Sequence, residues 1–131
     1  MNLRTVLLAV IVLGACSTHK DKLQRAKDEA NSAGRVLMVE FGADWCSDCR
    51  VLSAELEKDS LRQRLSTTFV RYRVDVGEFD RNLDVAKSVG LNLSQIPTAV
   101  FFTPAGDRVE RSGTSEILDF VKTLKTPQAS G

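Results

Sequence analysis

The sequence predicts an α/β domain in which helices cover both faces of a mixed four-stranded sheet. Segments with helical spacing of apolar residues alternate with short apolar segments typical of strands, which favours parallel strands joined by helices. The last two predicted strands are separated only by Pro-Ala-Gly-Asp at 104–107, a turn sequence that suits an antiparallel hairpin. The length of 131 residues allows one domain.

The first predicted elements of the domain are a helix and a buried strand. Residues 21–33 are predicted as the helix, because apolar residues recur at helical spacing and Gly34 supplies a stop signal. Residues 35–43 are predicted as a strand buried on both faces, because they form a nearly continuous apolar run. Glu40 is the one acidic residue in that run.

The remaining predicted elements follow in chain order from Cys46. They are a helix from Cys46 with a second piece capped by Ser60, a strand at 69–76, a helix capped by Asp80 and ending at Ser88, strands at 98–103 and 108–111, and a last helix capped by Thr114 or Ser115.

The N-terminus has the pattern of an export signal. Residues 1–4 carry a positive charge, and the apolar run at 5–13 is shorter than the roughly 20 residues that span a bilayer. Leu-Gly-Ala-Cys at 13–16 resembles the lipobox of bacterial lipoproteins, which implies that Cys16 is lipidated and begins the mature chain. The alternative is a plain signal peptide in which Cys16 has no role.

We therefore expect a lipoprotein signal peptide at 1–15, a lipidated tether at 16–20, a folded domain at 21–125 and a flexible tail at 126–131. Of the three cysteines, assigning Cys16 to the lipid leaves an even pair. Two or more acyl chains hold a protein firmly on a membrane, so the mature chain should be anchored. By resemblance to lipoproteins of two-membrane bacteria, Ser17 favours the outer membrane, with the domain facing the periplasm.

Composition excludes some functions and leaves the single histidine without a role. With 18 basic and 17 acidic side chains, the net charge of +1 gives no reason to expect a nucleic-acid partner. His19 lies in the polar tether and is predicted to be a solvated linker residue. A zinc site that mixes Cys and His ligands is hard to assemble from one histidine, and we expect no cofactor and no bound metal.

The chemistry of the chain is predicted to lie at Cys46 and Cys49. Two intervening residues allow the two sulfurs to bond, and Cys46 falls at a helix N-terminus, where free N–H groups and the helix dipole favour negative charge. The pKa of Cys46 should therefore fall below the free value of about 8.5. Cys46 is predicted to attack a substrate disulfide, and Cys49, one turn in and less exposed, is predicted to resolve the mixed disulfide.

Three stretches of the chain resemble the thioredoxin superfamily, which implies a three-layer sandwich. VEFGADWCSDC at 39–49 is similar to the family's strand, turn and active-site helix. Ile-Pro-Thr at 96–98 is similar to its cis-proline segment, and FFTPAGDRV at 101–109 is similar to its closing hairpin. The chain also resembles the thioredoxin-like domains of membrane-bound bacterial disulfide reductases.

The resemblance implies roles for three residues beside the cysteine pair. Pro97 would be cis and face the sulfurs, excluding metals, while the backbone next to it pairs with an extended substrate. Trp45 would pack beside the sulfurs and shield them, unless it is an ordinary core tryptophan. Glu40 takes the place of a buried aspartate, so its pKa should be raised by burial and it could accept the proton of Cys49. The alternative for Glu40 is a solvated side chain.

One departure from the family bears on the direction of electron flow. The residues between the cysteines are Ser47 and Asp48, and the Asp48 carboxylate should repel a thiolate at Cys46 and raise its pKa. Because oxidising members of the superfamily depend on a stabilised thiolate, we expect a reducing potential.

The sequence thus predicts a membrane-anchored thiol–disulfide oxidoreductase of the bacterial envelope. Its expected partners are disulfide-containing envelope proteins and a membrane electron donor or acceptor. One alternative is an envelope chaperone that binds copper(I) through Cys46 and Cys49, since soft thiolates suit that ion. The other is a structural lipoprotein in which the disulfide only fastens the start of the helix.

Overall fold

The structure is a computed structural model that describes residues 18–125. Within these residues there are five helices and four strands: α1 (His19–Ala33), β1 (Val36–Gly42), α2 (Ser47–Leu56), α3 (Asp59–Thr68), β2 (Phe69–Asp75), α4 (Leu83–Ser88), β3 (Thr98–Phe102), β4 (Arg108–Ser112) and α5 (Thr114–Thr123). Cys16, the signal peptide at 1–15 and the tail at 126–131 lie outside the described residues. None of the described helices is long and apolar enough to cross a bilayer.

The four strands form one mixed sheet in the order β2-β1-β3-β4. β1 runs parallel to β2 and antiparallel to β3, and β3 and β4 form the antiparallel hairpin. The predicted α/β class, mixed sheet and hairpin are confirmed. The expectation of parallel pairing throughout the helix-linked strands is wrong for β3, because the connection through α4 returns the chain to the other side of β1 in the opposite direction.

Helices cover both faces of the sheet and enclose one apolar cluster on each. On the first face, α1 and α4 pack over the side chains of Leu37, Val39 and Phe41 from β1. On the second face, α2, α3 and α5 pack over Val36 and Met38 of the same strand. All five of these β1 side chains are at most 2% exposed, so β1 is the buried central strand that its apolar run predicted.

The N-terminal boundary of the fold differs from the prediction. Thr18 caps α1 through a capping box, in which its hydroxyl accepts the N–H of Asp21 and the Asp21 carboxylate accepts the N–H of Thr18. The helix therefore begins at His19, so the predicted tether at 16–20 ends two residues earlier. His19 is not a solvated linker residue, because its Nδ1 lies 2.7 Å from the hydroxyl of Tyr72 in β2.

Three predicted helix caps are not the caps in the structure. α3 begins at Asp59 after Lys58, one residue before the predicted Ser60 cap. α4 begins only at Leu83, because Asp80 instead accepts the N–H of Glu78 within the preceding loop. Thr114 is the first residue of α5 and does not cap it. Its hydroxyl donates to the carbonyl of Asp48, which ties the start of α5 to the start of α2.

Candidate functional site

The start of α2 carries both cysteines, which are joined by a disulfide. Cys46 is the N-cap residue, in extended backbone conformation, and its Sγ accepts the N–H of Cys49 at 3.2 Å. The two Cα atoms are 5.2 Å apart, within the usual range for a disulfide. A sulfur at the N-cap position receives a backbone N–H of the first turn, so negative charge on Cys46 would be stabilised there.

The two cysteines do not differ in burial as the sequence suggested. Cys46 is 6% exposed and Cys49 is 5% exposed. What separates them is their surroundings: Cys46 faces the loop before β3, whereas Cys49 faces the end of β1. A Cβ built on Gly42, the last residue of β1, would lie 3.3 Å from Cys49 Sγ, so glycine leaves room for the resolving cysteine.

Pro97 lies in the loop that faces Cys46. The Ile96–Pro97 peptide bond is cis, the isomer that the resemblance implied, and the carbonyl oxygen of Ile96 lies 3.8 Å from Cys46 Sγ. The carbonyl of Pro97 accepts the N–H of Gly113 at 2.8 Å, which fixes the loop to the start of α5. The N–H of Ile96 has no hydrogen-bond partner within residues 18–125.

Trp45 is an exposed residue and not a core tryptophan. It is 55% exposed, and its indole N–H donates to the carbonyl of Gly77 at 2.8 Å. Its ring lies 6.4 Å from the ring of Phe79, which is itself 36% exposed and has a positive φ of 61°. Trp45 from the loop before α2 and Phe79 from the loop after β2 therefore form a pair of surface aromatic rings next to Cys46 in the chain.

Glu40 is buried on the α2 face of the sheet, so the solvated alternative is wrong. The residue is 3% exposed, and its Oε2 accepts a hydrogen bond from Arg71 Nη2 at 2.9 Å. Arg73 Nε lies 3.8 Å from Oε1. In the sequence Glu40 is a single carboxyl in an apolar strand, whereas the sheet register places both arginines of β2 beside it.

Two cavities adjoin these groups on the side of α2. One of about 250 Å³ is lined by Glu40 and Gly42, among others, and one of about 150 Å³ is lined by Cys49 and Ser53. Arg73 lines both cavities. Arg73 therefore contributes to the surroundings of both the buried carboxylate and the resolving cysteine, as do Ala43 and Asp44 of the loop after β1.

Asp48 lies in the first turn of α2 and is exposed. No ion pair of its carboxylate is found among residues 18–125, so its charge at the rim of the site is screened only by solvent. Among the same residues, no group of three or more His, Cys, Asp or Glu side chains is placed to hold a metal ion. Met38 is fully buried in β1 and points away from solvent.

A disulfide at a helix N-terminus, opposite a cis-proline on a four-stranded mixed sheet, defines a class of fold and site. The sequence profile of the thioredoxin-like family matches residues 18–104, more than half of the chain. The chain belongs to the thioredoxin-like family.

Individual relatives agree with this assignment. A protein disulfide isomerase-like 2-2 from Oryza sativa subsp. japonica is 32% identical over 126 residues, covering 95% of this chain and 30% of the relative. The thiol:disulfide interchange protein DsbD 1 of Pseudomonas aeruginosa is 30% identical over 90 residues, covering 66% of this chain and 14% of the relative. The chain thus spans less than a third of the length of either curated relative.

A solved structure gives the same fold. The disulphide isomerase from Xylella fastidiosa Temecula1 superposes with a TM-score of 0.65 at 24% identity, covering 86% of each chain. At this level of identity the likeness establishes the fold alone, and it confirms the predicted thioredoxin-like sandwich.

Sequence reasoning missed three residues of the site. Arg71 and Arg73 alternate with Val70, Tyr72 and Val74, so they read as the solvent side of a half-buried strand. Only the pairing with β1 shows that they flank Glu40. Gly42 carried no signal of its own, although a glycine at the end of a buried strand is one indication of close backbone approach.

Proposed function

We propose that the protein is a thiol–disulfide oxidoreductase that works through Cys46 and Cys49. The observation that carries the proposal is the Cys46–Cys49 disulfide, with Cys46 at the N-cap of α2 and facing the cis-proline loop. The family membership and the interchange and isomerase names of its relatives support the same reaction.

In the reducing direction, the reaction has two exchange steps. The Cys46 thiolate attacks a sulfur of the substrate disulfide, which forms a mixed disulfide and releases the first substrate thiolate. Cys49 then attacks Cys46 Sγ, which forms the Cys46–Cys49 disulfide and releases the second thiolate. The substrate gains two electrons and the cysteine pair loses them, so a dithiol donor must reduce the pair before the next cycle.

The residues around the pair would assist these steps. The unpartnered N–H of Ile96 could pair with an extended substrate backbone, as in strand addition at a sheet edge. Glu40 would accept the proton that Cys49 loses when it attacks. Trp45 and Phe79 would contact apolar substrate side chains beside the sulfurs.

The location and direction of the reaction belong to the same proposal. Cys16 would carry the lipid that anchors the chain in the bacterial envelope, facing the periplasm and favouring the outer membrane, as the Leu-Gly-Ala-Cys segment supports. The substrates would then be disulfide-containing envelope proteins, and the donor a membrane protein. The unpaired Asp48 carboxylate near the sulfurs supports a reducing potential.

The exchange activity is tested by insulin reduction with dithiothreitol, followed by turbidity. Wild-type protein should accelerate precipitation, and Cys46→Ser should be inactive because it lacks the attacking sulfur. Cys16→Ser is the matched control, because it removes a cysteine outside the site and should keep full activity. Equal rates for wild type and Cys46→Ser would overturn the proposal.

Two further measurements test the potential and the anchor. The potential of the cysteine pair against glutathione should lie near the value of about −270 mV of thioredoxin, and a value near the −120 mV or so of strong oxidants would contradict a reducing role. In a two-membrane bacterium, wild-type protein should fractionate with membranes and Cys16→Ser with the soluble periplasm.

The copper(I) chaperone alternative is tested by titrating the reduced protein with copper(I). That alternative requires tight binding of copper(I) at a fixed stoichiometry.

A further inference from the structure

Arg73 lines the surroundings of both buried groups that the second exchange step would use. Its side chain lines the cavity that contains Glu40 and the cavity that contains Cys49. Its Nε is 3.8 Å from Glu40 Oε1, and its Nη2 donates to Ser53 Oγ at 3.3 Å. Ser53 lies one turn after Cys49 on α2, so Arg73 connects the carboxylate on β1 to the helix that carries the resolving cysteine.

The two arginines that flank Glu40 are held differently. The side chain of Arg71 is 21% exposed and makes the short 2.9 Å hydrogen bond to Glu40, with a second carboxylate, Glu57, at 3.7 Å. The side chain of Arg73 is 63% exposed, and both of its contacts are longer than 3.2 Å. Arg71 is therefore the fixed counter-ion of Glu40, whereas Arg73 can shift between the carboxylate and the neighbouring cavity at little cost in burial.

Two arginines, Arg50 and Arg73, and one aspartate, Asp44, line the cavity in which the Cys49 thiolate must form. The charged groups that line the two cavities are Glu40, Arg73, Asp75, Arg50 and Asp44. Arg71 pairs with Glu40 from β2 and has Glu57 at 3.7 Å. Arg50 donates to the carbonyl of Asp44, and Asp75 is paired with Arg81 outside the cavities. Arg73 is the side chain that brings positive charge to the cavity of Cys49 and to Glu40 together.

We propose that Arg73 is a positioning residue for the resolving step, whose guanidinium orients the Glu40 carboxylate and compensates the charge that forms on Cys49. This inference rests on the proposed function. In the step, the Cys49 thiol gives its proton to Glu40, its sulfur bonds to Cys46 Sγ, and the bond between Cys46 and the substrate sulfur breaks. The substrate sulfur leaves as a thiolate and takes a proton from solvent.

The step can be observed separately with 2,2′-dithiodipyridine, an uncharged disulfide that releases an absorbing thiopyridone. When the reduced full-length protein, carrying Cys16→Ser so that only the pair reacts, is mixed with this reagent, attack by Cys46 releases the first thiopyridone and attack by Cys49 releases the second. Stopped-flow absorbance therefore resolves one phase for each cysteine. An uncharged reagent prevents Arg73 from acting through attraction of the substrate.

Arg73→Gln should slow the second phase about tenfold, less than the loss of a buried donor because solvent screens an exposed guanidinium. The first phase should change less than about twofold, and the pH dependence of the second phase should move to higher pH. Arg73→Lys should restore most of the rate because it keeps the charge. Ser53→Ala, which removes the contact of Arg73 with α2, should give an intermediate rate.

Arg62→Gln is the matched control, because it removes an exposed arginine of α3 and should leave both phases unchanged. The inference is overturned if Arg73→Gln leaves the second phase and its pH dependence unchanged, if it slows both phases equally, or if Arg73→Lys is as slow as Arg73→Gln. Absence of the second phase in wild-type protein would instead overturn the proposed function. Each variant is first checked for an unchanged thermal unfolding transition.

Discussion

The two faces of β1 differ in the kind of side chain that they bury. On the α1 face, Leu37, Val39 and Phe41 are apolar and continue to the end of the strand. On the α2 face, the apolar positions stop at Met38 and are followed by Glu40 and Gly42. Both faces are covered by helices, so the difference is one of chemistry and not of solvent access.

Glu40 and Gly42 are positions where the sequence of β1 is not the one that would give the highest stability. A buried carboxylate costs desolvation free energy that an apolar side chain would not, and glycine weakens a strand. Gly42 lies against Cys49 at the start of α2, and Glu40 lies two residues earlier on the same face of β1. The α1 face is a stabilising core, and the α2 face at the end of β1 is a site for chemistry. Substitutions on the two faces should therefore separate stability from activity.

The largest effect is expected on the apolar face. Phe41→Ala should lower the free energy of unfolding by about 4 kcal/mol, because it empties a fully buried position. Phe79→Ala is the matched control, since Phe79 is partly exposed and the same truncation should cost less than about 1 kcal/mol. Denaturant unfolding measures both. Equal losses for the two variants would show that the α1 face does not carry the stability assigned to it.

The intermediate effect is expected at the ion pair on the other face. Glu40→Leu should cost about 2 kcal/mol, because it leaves Arg71 without its closest carboxylate, with the loss reduced by the partial exposure of Arg71. The double variant Glu40→Leu with Arg71→Leu should recover much of that loss, because both charges are then gone. Neither variant should keep a normal resolving phase.

Adding the single variant Arg71→Leu completes a double-mutant cycle, which tests whether Glu40 and Arg71 stabilise each other. If the losses of Glu40→Leu and Arg71→Leu simply add in the double variant, the two side chains do not interact energetically. Glu40 would then be a tolerated buried acid, and the contrast between the two faces of β1 would lose its physical basis.

How much of this could be predicted from the sequence depended on whether the signal was local. The strand at β1, the helix after Cys46 and the hairpin at Pro-Ala-Gly-Asp were predicted because periodicity and turn residues act within a few positions. The environment of Glu40 could not be predicted, because it depends on Arg71 and Arg73, which lie 31 and 33 positions later in β2. The register between two strands cannot be determined from the sequence of either strand alone.

The start of α1 shows the same limit at short range. Thr18 and Asp21 have the right types and spacing for a capping box, but the polar segment around them was assigned to a tether. The contact that gives His19 a place in the fold is made with Tyr72, 53 residues away. A residue with one distant partner has no periodic signal.

The smallest effect is expected for Tyr72→Phe on the α1 face, where the Tyr72 hydroxyl lies at the edge of the apolar cluster. Burial raises the pKa of Tyr72 above its ordinary value of 10.0. Above about pH 10 the unfolded chain loses a proton that the folded chain keeps, so the stability falls as pH rises. Tyr72→Phe should cost about 1 kcal/mol at neutral pH through the lost contact with His19, and should flatten the alkaline fall in stability.

Tyr72 is the only tyrosine of the chain, so the tyrosinate absorbance of the oxidised protein reports its titration directly. A midpoint at or below the ordinary value would show that the hydroxyl is as well solvated as in the unfolded chain, and that the α1 face imposes no cost on a polar group at this position.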